Sequence, residues 1–368
     1  MSVTTPSASQ SSLPGVDRII SSDSHVTVKH RQVKEHLASK FHEDYDSAVQ
    51  RFFAAFLGGG AAKANQGAMK FPGRALGRPG TYDPNERLKD MDTDGVDTEV
   101  MYCELSAYRY LYMMERGSFE GTRAFNDTLQ DFSSVDPQRL VVSYQIPIND
   151  ITFAVQEVQR LAANGAKSLQ LPVFPREVDM PDYWEPIYDP LWAAIQEAGI
   201  PVCFHIGLNT AVDDIAKRDP TPNLALTIPC IPPSTTEALG MLLLTGVLER
   251  FPDLKLVFVE SGLGWVAWYL DFVDDMVLTQ GYEYPELKEL PSFYFHRNIS
   301  LTFIKEPDTI QHLRHKLGVK NLMWSTDYPH PPTSWPESRS VIADQFVGVP
   351  PDEQALMLYG NAKRVWNL

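Results

Sequence analysis

An aspartate and a histidine lie two residues apart near the start of this sequence. Asp23 and His25 follow an apolar pair in the stretch IISSDSHV. Residues i and i+2 of an extended strand point to the same face, so these two side chains project together. An acid beside an imidazole forms either a salt-linked structural pair or half of a metal site. For so short a motif the structural alternative is the default.

Three further ionisable side chains stand at or near the ends of apolar strand candidates: His205 in IPVCFHIG, Glu260 in LKLVFVESG and Asp327 in NLMWSTD. In a barrel of parallel strands, the carboxyl ends gather at the rim where catalytic groups lie. Two histidines with two or three carboxylates suit a divalent metal such as Zn²⁺ or Mn²⁺, with one coordination position left for water or substrate.

Each of these residues also has a structural interpretation. His205 fits a hydrogen-bonded core histidine, Asp327 a turn cap, and Glu260 a cap for a helix that begins at Gly264. Separate structural roles give no reason for all of them to fall at one end of one barrel, which favours a shared site. His330 lies three residues after Asp327, on the loop above the rim, where it contacts either the substrate or a metal ligand.

Eight strand candidates position these groups, and helical patterns separate them. The strand candidates span 18–26, 98–103, 139–147, 168–174, 200–207, 254–262, 299–304 and 321–327. The alternation and the number predict an α/β protein of the (β/α)8, or TIM barrel, class. The first regular helix, 85–95, is expected to be capped by Asn85 and to end at Gly95.

The chain reads as one barrel domain, 18–368, after a disordered N-terminal tail, 1–17. One connection is unusually long: the segment 27–84 separates the first strand from the first regular helix. It leaves the catalytic end of strand one, so we expect a lid or a wall of the substrate pocket. An oligomerisation arm is the alternative.

Composition excludes several classes of protein. Among 368 residues, 47 Asp and Glu outnumber 32 Lys and Arg, which argues against nonspecific nucleic-acid or anionic-membrane partners. There is no basic and apolar secretory leader and no apolar run of the roughly 18 residues that a membrane helix needs. Cys103, Cys203 and Cys230 lack a disulfide or metal-binding pattern. We therefore expect a cytoplasmic protein that acts on a small molecule.

Several blocks, taken in order, resemble the amidohydrolase superfamily, and most closely its amidohydrolase-related (amidohydrolase 2) branch. They are RLKDMDTDGVDTEVMY, GAKSLQL, IPVCFHIG, VFVESGLGWV, PSFYFHRNISLTF, WSTDYPHP and YGNAKRVW. That branch includes metal-dependent decarboxylases of aromatic and muconic acids, such as aminocarboxymuconate semialdehyde decarboxylase and γ-resorcylate decarboxylase. The resemblance also implies a homodimer or homotetramer.

The resemblance implies metal ligands at four positions of this sequence: Asp23, His25, His205 and Asp327. Strand four offers Gln170 in place of the bridging residue of two-metal relatives, so one ion is expected, with Zn²⁺ preferred and Mn²⁺ as the alternative. The chain departs from the pattern twice. Asp23 stands where His or Glu is common, and Glu260 stands where many relatives carry an acid-base histidine.

Hydrolysis is the expected reaction, on a small cyclic or aromatic substrate that contains a carbonyl group. A metal-activated water would attack, Asp327 would accept its proton, and Glu260 would orient the water or act as a second base. Aromatic residues near the rim suit such a substrate. Non-oxidative decarboxylation of an aromatic or muconic acid is the alternative. A metal-free barrel with a binding or structural role is a second alternative.

Overall fold

The computed structural model describes Val16 and residues 18–58, 77–103, 107–206 and 212–368. Apart from Val16, the predicted tail lies outside the described residues, and so does the 59–76 part of the predicted insertion.

Eight parallel strands form a single sheet in the order of the sequence. They are β1 (Ile20–Val26), β2 (Thr98–Cys103), β3 (Leu140–Gln145), β4 (Ser168–Gln170), β5 (Val202–His205), β6 (Leu256–Val259), β7 (Ile299–Phe303) and β8 (Leu322–Trp324). The chain beyond β8 returns to β1: the main-chain N–H of His25 donates to the carbonyl of Tyr328 at 2.7 Å, and that of Asp327 to the carbonyl of Asp23 at 3.0 Å. These bonds close the sheet, and the predicted TIM barrel is confirmed.

Helices surround the strands. In the described ranges they are α1 (His30–His36), α2 (His42–Gly58), α3 (Pro84–Asp94), α4 (Ala107–Tyr112), α5 (Ser118–Ser134), α6 (Ile151–Ala163), α7 (Asp189–Ala198), α8 (Val212–Arg218), α9 (Thr227–Ser234), α10 (Thr236–Leu244), α11 (Val247–Arg250), α12 (Gly264–Gln280), α13 (Pro291–Asn298), α14 (Pro307–His312), α15 (Arg314–Leu317), α16 (Ser338–Gln345), α17 (Pro351–Ala355) and α18 (Asn361–Trp366). None of the helices in these ranges combines the length and apolar character that crossing a bilayer requires.

Helix α3 shows how local sequence sets an element's limits. Pro84 occupies the first turn, where its missing N–H costs nothing. The carboxylate of Asp83 accepts hydrogen bonds from the N–H groups of Asn85 and Glu86, so Asp83 is the cap and the prediction of Asn85 was wrong by two residues. Gly95 ends the helix with φ of 73°, a conformation that glycine adopts without steric cost.

The interior of the barrel is filled at its amino-terminal end. Side chains such as Ile20, Val100 and Val257 pack there against the last helix, α18. The indole N–H of Trp366 donates to the hydroxyl of Ser168, the first residue of β4, at 3.2 Å. Because α18 closes this end, the open mouth lies at the carboxyl ends of the strands.

The described part of the predicted insertion folds as helices at the outside of the barrel. Helix α1 packs against α5, and α2 packs against α4. Where the segment returns to the barrel, the N–H of Thr27 donates to the carbonyl of Thr81 at 2.8 Å. Whether the segment forms a lid or an oligomerisation arm stays a prediction.

Candidate metal centre

Five ionisable side chains from four strand ends converge at the mouth of the barrel. His205 Nε2 lies 3.1 Å from Asp23 Oδ1 and 4.0 Å from Glu260 Oε2. His25 Nε2 lies 3.1 Å from Asp327 Oδ1 and 3.8 Å from Asp23 Oδ1. Residues more than 300 positions apart therefore share one small volume.

Two overlapping groups have donor atoms close enough to hold one ion. In each group these atoms lie within 4.8 Å of one another. The first contains Asp23, His25, His205 and Glu260, and the second contains His25, Glu260, Asp327 and His330. All four residues proposed as ligands from the sequence are present, and Glu260 and His330 lie at ligand distance as well.

Hydrogen bonds join the ends of β1 and β8, which carry the carboxylates of Asp23 and Asp327. The hydroxyl of Ser21 donates to the carbonyl of Asp23 at 2.8 Å and accepts the N–H of Thr326 at 2.9 Å. The N–H of Asp327 donates to the same Asp23 carbonyl. These bonds tie the two segments together, as the precise placement of ligands requires.

Two of the converging residues have strained backbones. Glu260 has φ of 59° and Asp327 has φ of 53°, in the left-handed region that residues with a Cβ atom avoid. The N–H of Glu260 donates to the hydroxyl of Thr302 on β7 at 2.9 Å, which helps to hold this turn. Such strain costs about 1–2 kcal/mol per residue and concentrates at functional sites.

The donor set fits a cation. Asp23 and Asp327 are fully buried, and Asp23 Oδ2 and Asp327 Oδ2 have no hydrogen-bond partner among the described residues. A buried carboxylate oxygen without a partner is costly. A divalent ion between these oxygens and the two imidazoles would satisfy both.

The ring of His205 turns its Nε2 atom toward the carboxylates. Its Nδ1 lies 2.5 Å from the carbonyl of Ile206, which can only accept, so Nδ1 carries a proton and Nε2 faces the carboxylates. Burial alone lowers the pKa of His205, but the charge and hydrogen bond of Asp23, together with Glu260, raise it to about 9. The field that holds a proton on this ring also favours a metal cation.

The site shifts the pKa values of Asp327 and Glu260 in opposite directions. Burial acts to raise the pKa of Asp327, but the charges and hydrogen bonds of His330 and His25 hold it well below its usual range. Burial and the Asp327 charge raise the pKa of Glu260 well above its usual range. In the protein without metal, Glu260 therefore retains a proton more readily than Asp327 does.

The structural interpretation of Glu260 is not supported. Glu260 does not cap α12, because the N–H of Leu263 at the start of that helix donates to the carboxylate of Glu306 at 2.9 Å.

His330 lies at the outer edge of the cluster, about a quarter exposed, with its Nδ1 2.9 Å from Asp327 Oδ1.

Sequence reasoning missed Arg87, which supports the site from behind. This fully buried residue of α3 donates to the carbonyl of His25 at 2.8 Å and pairs with the carboxylate of Glu99 on β2. Its guanidinium lies 4.1 Å from the ring centroid of Tyr328, the residue after Asp327. A basic residue on the core side of an amphipathic helix was the available signal.

Known proteins share this sequence pattern and this fold. The family model described as Amidohydrolase (Amidohydro_2) matches residues 41–368. The γ-resorcylate decarboxylase of Rhizobium sp. (strain MTP-10005) is 24% identical over 251 residues, which are 66% of this chain and 76% of that protein.

Solved decarboxylases have the same fold. The 5-carboxyvanillate decarboxylase of Sphingomonas paucimobilis superposes with a TM-score of 0.70 at 23% identity, covering 95% of this chain and 99% of that one. The 5-carboxyvanillate decarboxylase of Novosphingobium aromaticivorans, solved with bound manganese, superposes with a TM-score of 0.72 at 16% identity, covering 96% of this chain and 98% of that one.

These findings correct the expected reaction. The named relatives are decarboxylases, so the preference for a hydrolase was wrong. The alternative, a metal-dependent decarboxylase, is the better supported of the two.

Proposed function

The chain belongs to the amidohydrolase family, and on that premise we propose that it is a metal-dependent, non-oxidative decarboxylase of a small aromatic carboxylic acid. The convergence of Asp23, His25, His205 and Asp327 at the mouth of the barrel carries the proposal. The decarboxylase relatives support the choice of reaction.

We assign the four residues to one divalent ion. Bound there, the ion would act as a Lewis acid that fixes the substrate and neutralises its negative charge. Manganese is the ion to load first, because the four residues combine carboxylate with imidazole ligands and because the Novosphingobium neighbour contains manganese. Zinc is the second candidate.

Decarboxylation breaks the bond between the ring and the carboxylate. Carbon dioxide leaves, the electron pair stays on the ring carbon, and that carbon takes up one proton. We assign this proton to the Asp327–His330 pair, whose atoms Oδ1 and Nδ1 are 2.9 Å apart. His330 reaches solvent and can restore the proton, whereas Asp327 is fully buried.

Glu260 lies between the ligand cluster and solvent, with about a fifth of its side chain exposed. We propose that it orients the substrate over the ring of ligands.

The test is CO₂ release from a panel of hydroxybenzoic acids by protein that is stripped of metal and then loaded with Mn²⁺. We expect turnover only after loading. His330→Gln should lower kcat by about 10²–10⁴-fold without loss of metal, because proton transfer contributes about that much. His315→Gln, at an exposed position of α15, is the matched control. It should leave kcat and the bound metal unchanged. A fully loaded protein that releases no CO₂ from any acid would refute the proposal.

The oligomeric state remains a prediction, since homodimer and homotetramer both rest on the family resemblance alone. The cytoplasmic location is likewise a prediction. Size-exclusion chromatography with light scattering distinguishes the homodimer from the homotetramer.

A further inference from the structure

We propose that Tyr328 is a positioning residue: its hydroxyl, held by an ion pair of Arg78 and Asp90, keeps the loop that carries Asp327 and His330 in the geometry for proton transfer. The inference rests on the proposed decarboxylase function, which assigns the transferred proton to the Asp327–His330 pair. Tyr328 lies between these two residues in the chain and is 1% exposed.

Hydrogen bonds of the main chain fix the turn from Asp327 to His330. The N–H of His330 donates to the carbonyl of Asp327 at 2.9 Å and closes the turn. The carbonyl of Tyr328 accepts the N–H of His25, and the N–H of Tyr328 donates to the hydroxyl of Thr326 at 3.1 Å. Because Tyr328 is covalently joined to Asp327 and hydrogen-bonded to His25, its placement constrains both of these residues.

The side chain of Tyr328 ends at an ion pair outside the metal centre. Its hydroxyl donates to Asp90 Oδ2 on α3 and accepts the Nε–H of Arg78 at 3.1 Å. Arg78 itself donates two hydrogen bonds to the carboxylate of Asp90, at 2.6 and 3.1 Å. Hydrogen bonds to charged groups are stronger than those between neutral groups, so this hydroxyl is firmly held.

The same ion pair contacts the far end of the loop. The Cζ atom of Arg78 lies 3.9 Å from the ring centroid of Trp335, an arrangement in which the ring attracts the cation. The indole N–H of Trp335 donates to the carbonyl of Asp90 at 3.1 Å. His330 therefore lies on a loop, 328–335, whose two end residues both contact the Arg78–Asp90 pair.

The contact between the hydroxyl and the carboxylate is tightly enclosed. A Cβ atom on Gly80 would lie 2.6 Å from Asp90 Oδ2 and 2.6 Å from the Tyr328 hydroxyl oxygen, closer than Cβ atoms approach other atoms. The glycine therefore lets the main chain of the insertion pass beside this contact. On its other side, the ring of Tyr328 packs against Arg87, which does not need the hydroxyl.

Tyr328→Phe isolates the hydroxyl, because it keeps the ring that packs against Arg87. With the Mn²⁺-loaded enzyme and the best acid of the hydroxybenzoate panel, kcat should fall about 10–100-fold, since a misplacement of about 1 Å can cost that much. KM and Mn²⁺ bound per chain should stay within about twofold of wild type, because the four ligands remain. The ratio of kcat in H₂O to kcat in D₂O should rise, because proton delivery becomes the slow step.

Tyr294→Phe is the matched control. The buried hydroxyl of Tyr294 on α13 also donates to a carboxylate, that of Glu249 at 2.8 Å, and accepts the main-chain N–H of Lys288 at 3.1 Å. This variant should leave kcat, KM and the isotope ratio unchanged. A merely structural role of Tyr328 would change stability and would leave kcat per bound ion and the isotope ratio at their wild-type values.

A double-mutant cycle tests whether the ion pair holds the hydroxyl. Arg78→Met removes the guanidinium and keeps a side chain against Trp335, and it should lower kcat in the same way as Tyr328→Phe. The double variant should be no less active than the weaker of the two single variants, because both changes break one contact. Losses that multiply would show that the two residues act separately and would overturn the proposed anchor.

The two proposals fail in different ways. Absence of CO₂ release from every acid by the loaded wild-type enzyme refutes the decarboxylase itself. Wild-type turnover with an unchanged kcat and isotope ratio in Tyr328→Phe overturns the positioning role alone, and so does a fall in kcat that is matched by loss of bound Mn²⁺. If Tyr328→Phe does not fold, the same measurements on Arg78→Met decide, at a position about one-third exposed.

Discussion

Asp94 makes a pH-dependent contribution to stability that can be calculated from its environment. It is 4% exposed at the end of α3, and its carboxylate accepts the N–H of Ser338 at 2.9 Å and the hydroxyl of Ser338 at 2.5 Å. These bonds anchor the start of α16 and so the loop that carries Asp327 and His330. Burial, opposed in part by the bonds from Ser338, raises the pKa of Asp94 from 3.8 to about 6.

The sign follows from proton linkage. Between pH 4 and pH 6 the folded protein binds this proton and the unfolded chain releases it, so the free energy of unfolding falls as pH rises through this window. The difference of about 2.2 pKa units corresponds to about 3 kcal/mol at 1.36 kcal/mol per unit. With an unfolding entropy of about 2 cal/mol/K per residue, this free energy corresponds to a change of about 4 °C in Tm for a chain of 368 residues.

Asp94→Asn removes the titration and keeps the hydrogen bonds, since the amide oxygen accepts the N–H and the amide nitrogen donates to the Ser338 hydroxyl. Urea unfolding at pH 4, 5, 6 and 7 gives the free energy of unfolding of each protein. The value for the variant minus that for wild type should rise by about 3 kcal/mol from pH 4 to pH 7. Asp92→Asn, at an exposed position of the same helix, is the control and should change by less than about 0.5 kcal/mol. A stability difference between Asp94→Asn and wild type that does not vary with pH would show that Asp94 does not bind this proton in the folded protein.

Three further outcomes follow from the site. His205→Asn should lower manganese affinity at least tenfold, measured by elemental analysis after dialysis, and full occupancy would contradict its role as a ligand. Glu260→Gly should raise the free energy of unfolding of the metal-free protein by about 1 kcal/mol over Glu260→Gln, measured in urea, because glycine relieves the left-handed backbone; equal stability of the two variants would show that no strain is stored there. Arg87→Lys should lower the free energy of unfolding by about 1–3 kcal/mol, since lysine cannot bond both Glu99 and the His25 carbonyl; an unchanged urea midpoint would contradict that.

Strand periodicity was sufficient to predict the barrel. Each apolar run contains one observed strand, and the residues that end those runs, His205 among them, lie at the mouth. The convergence followed from topology alone, because parallel strands in a closed barrel bring their carboxyl ends together.

The geometry of the site and the type of reaction were harder to predict from the sequence than the fold. The sequence placed Glu260 at a strand end but could not show its left-handed backbone or its distance of 4.0 Å from His205. Arg87 supports the site by donating to the carbonyl of His25, 62 positions away, and the helical pattern around Arg87 does not reveal that partner. The reaction type was mistaken because the ligand set of a metal site does not determine whether an attacking water loses a proton or a ring carbon gains one.

Titration of metal-stripped protein with Mn²⁺, with binding and CO₂ release recorded on the same samples, shows whether decarboxylation depends on an ion held by these residues. We expect one ion per chain and CO₂ release that rises in proportion to occupancy, and we expect Asp23→Asn to lower both together. Turnover that is independent of bound metal, or an ion that binds normally in the Asp23→Asn protein, would contradict it.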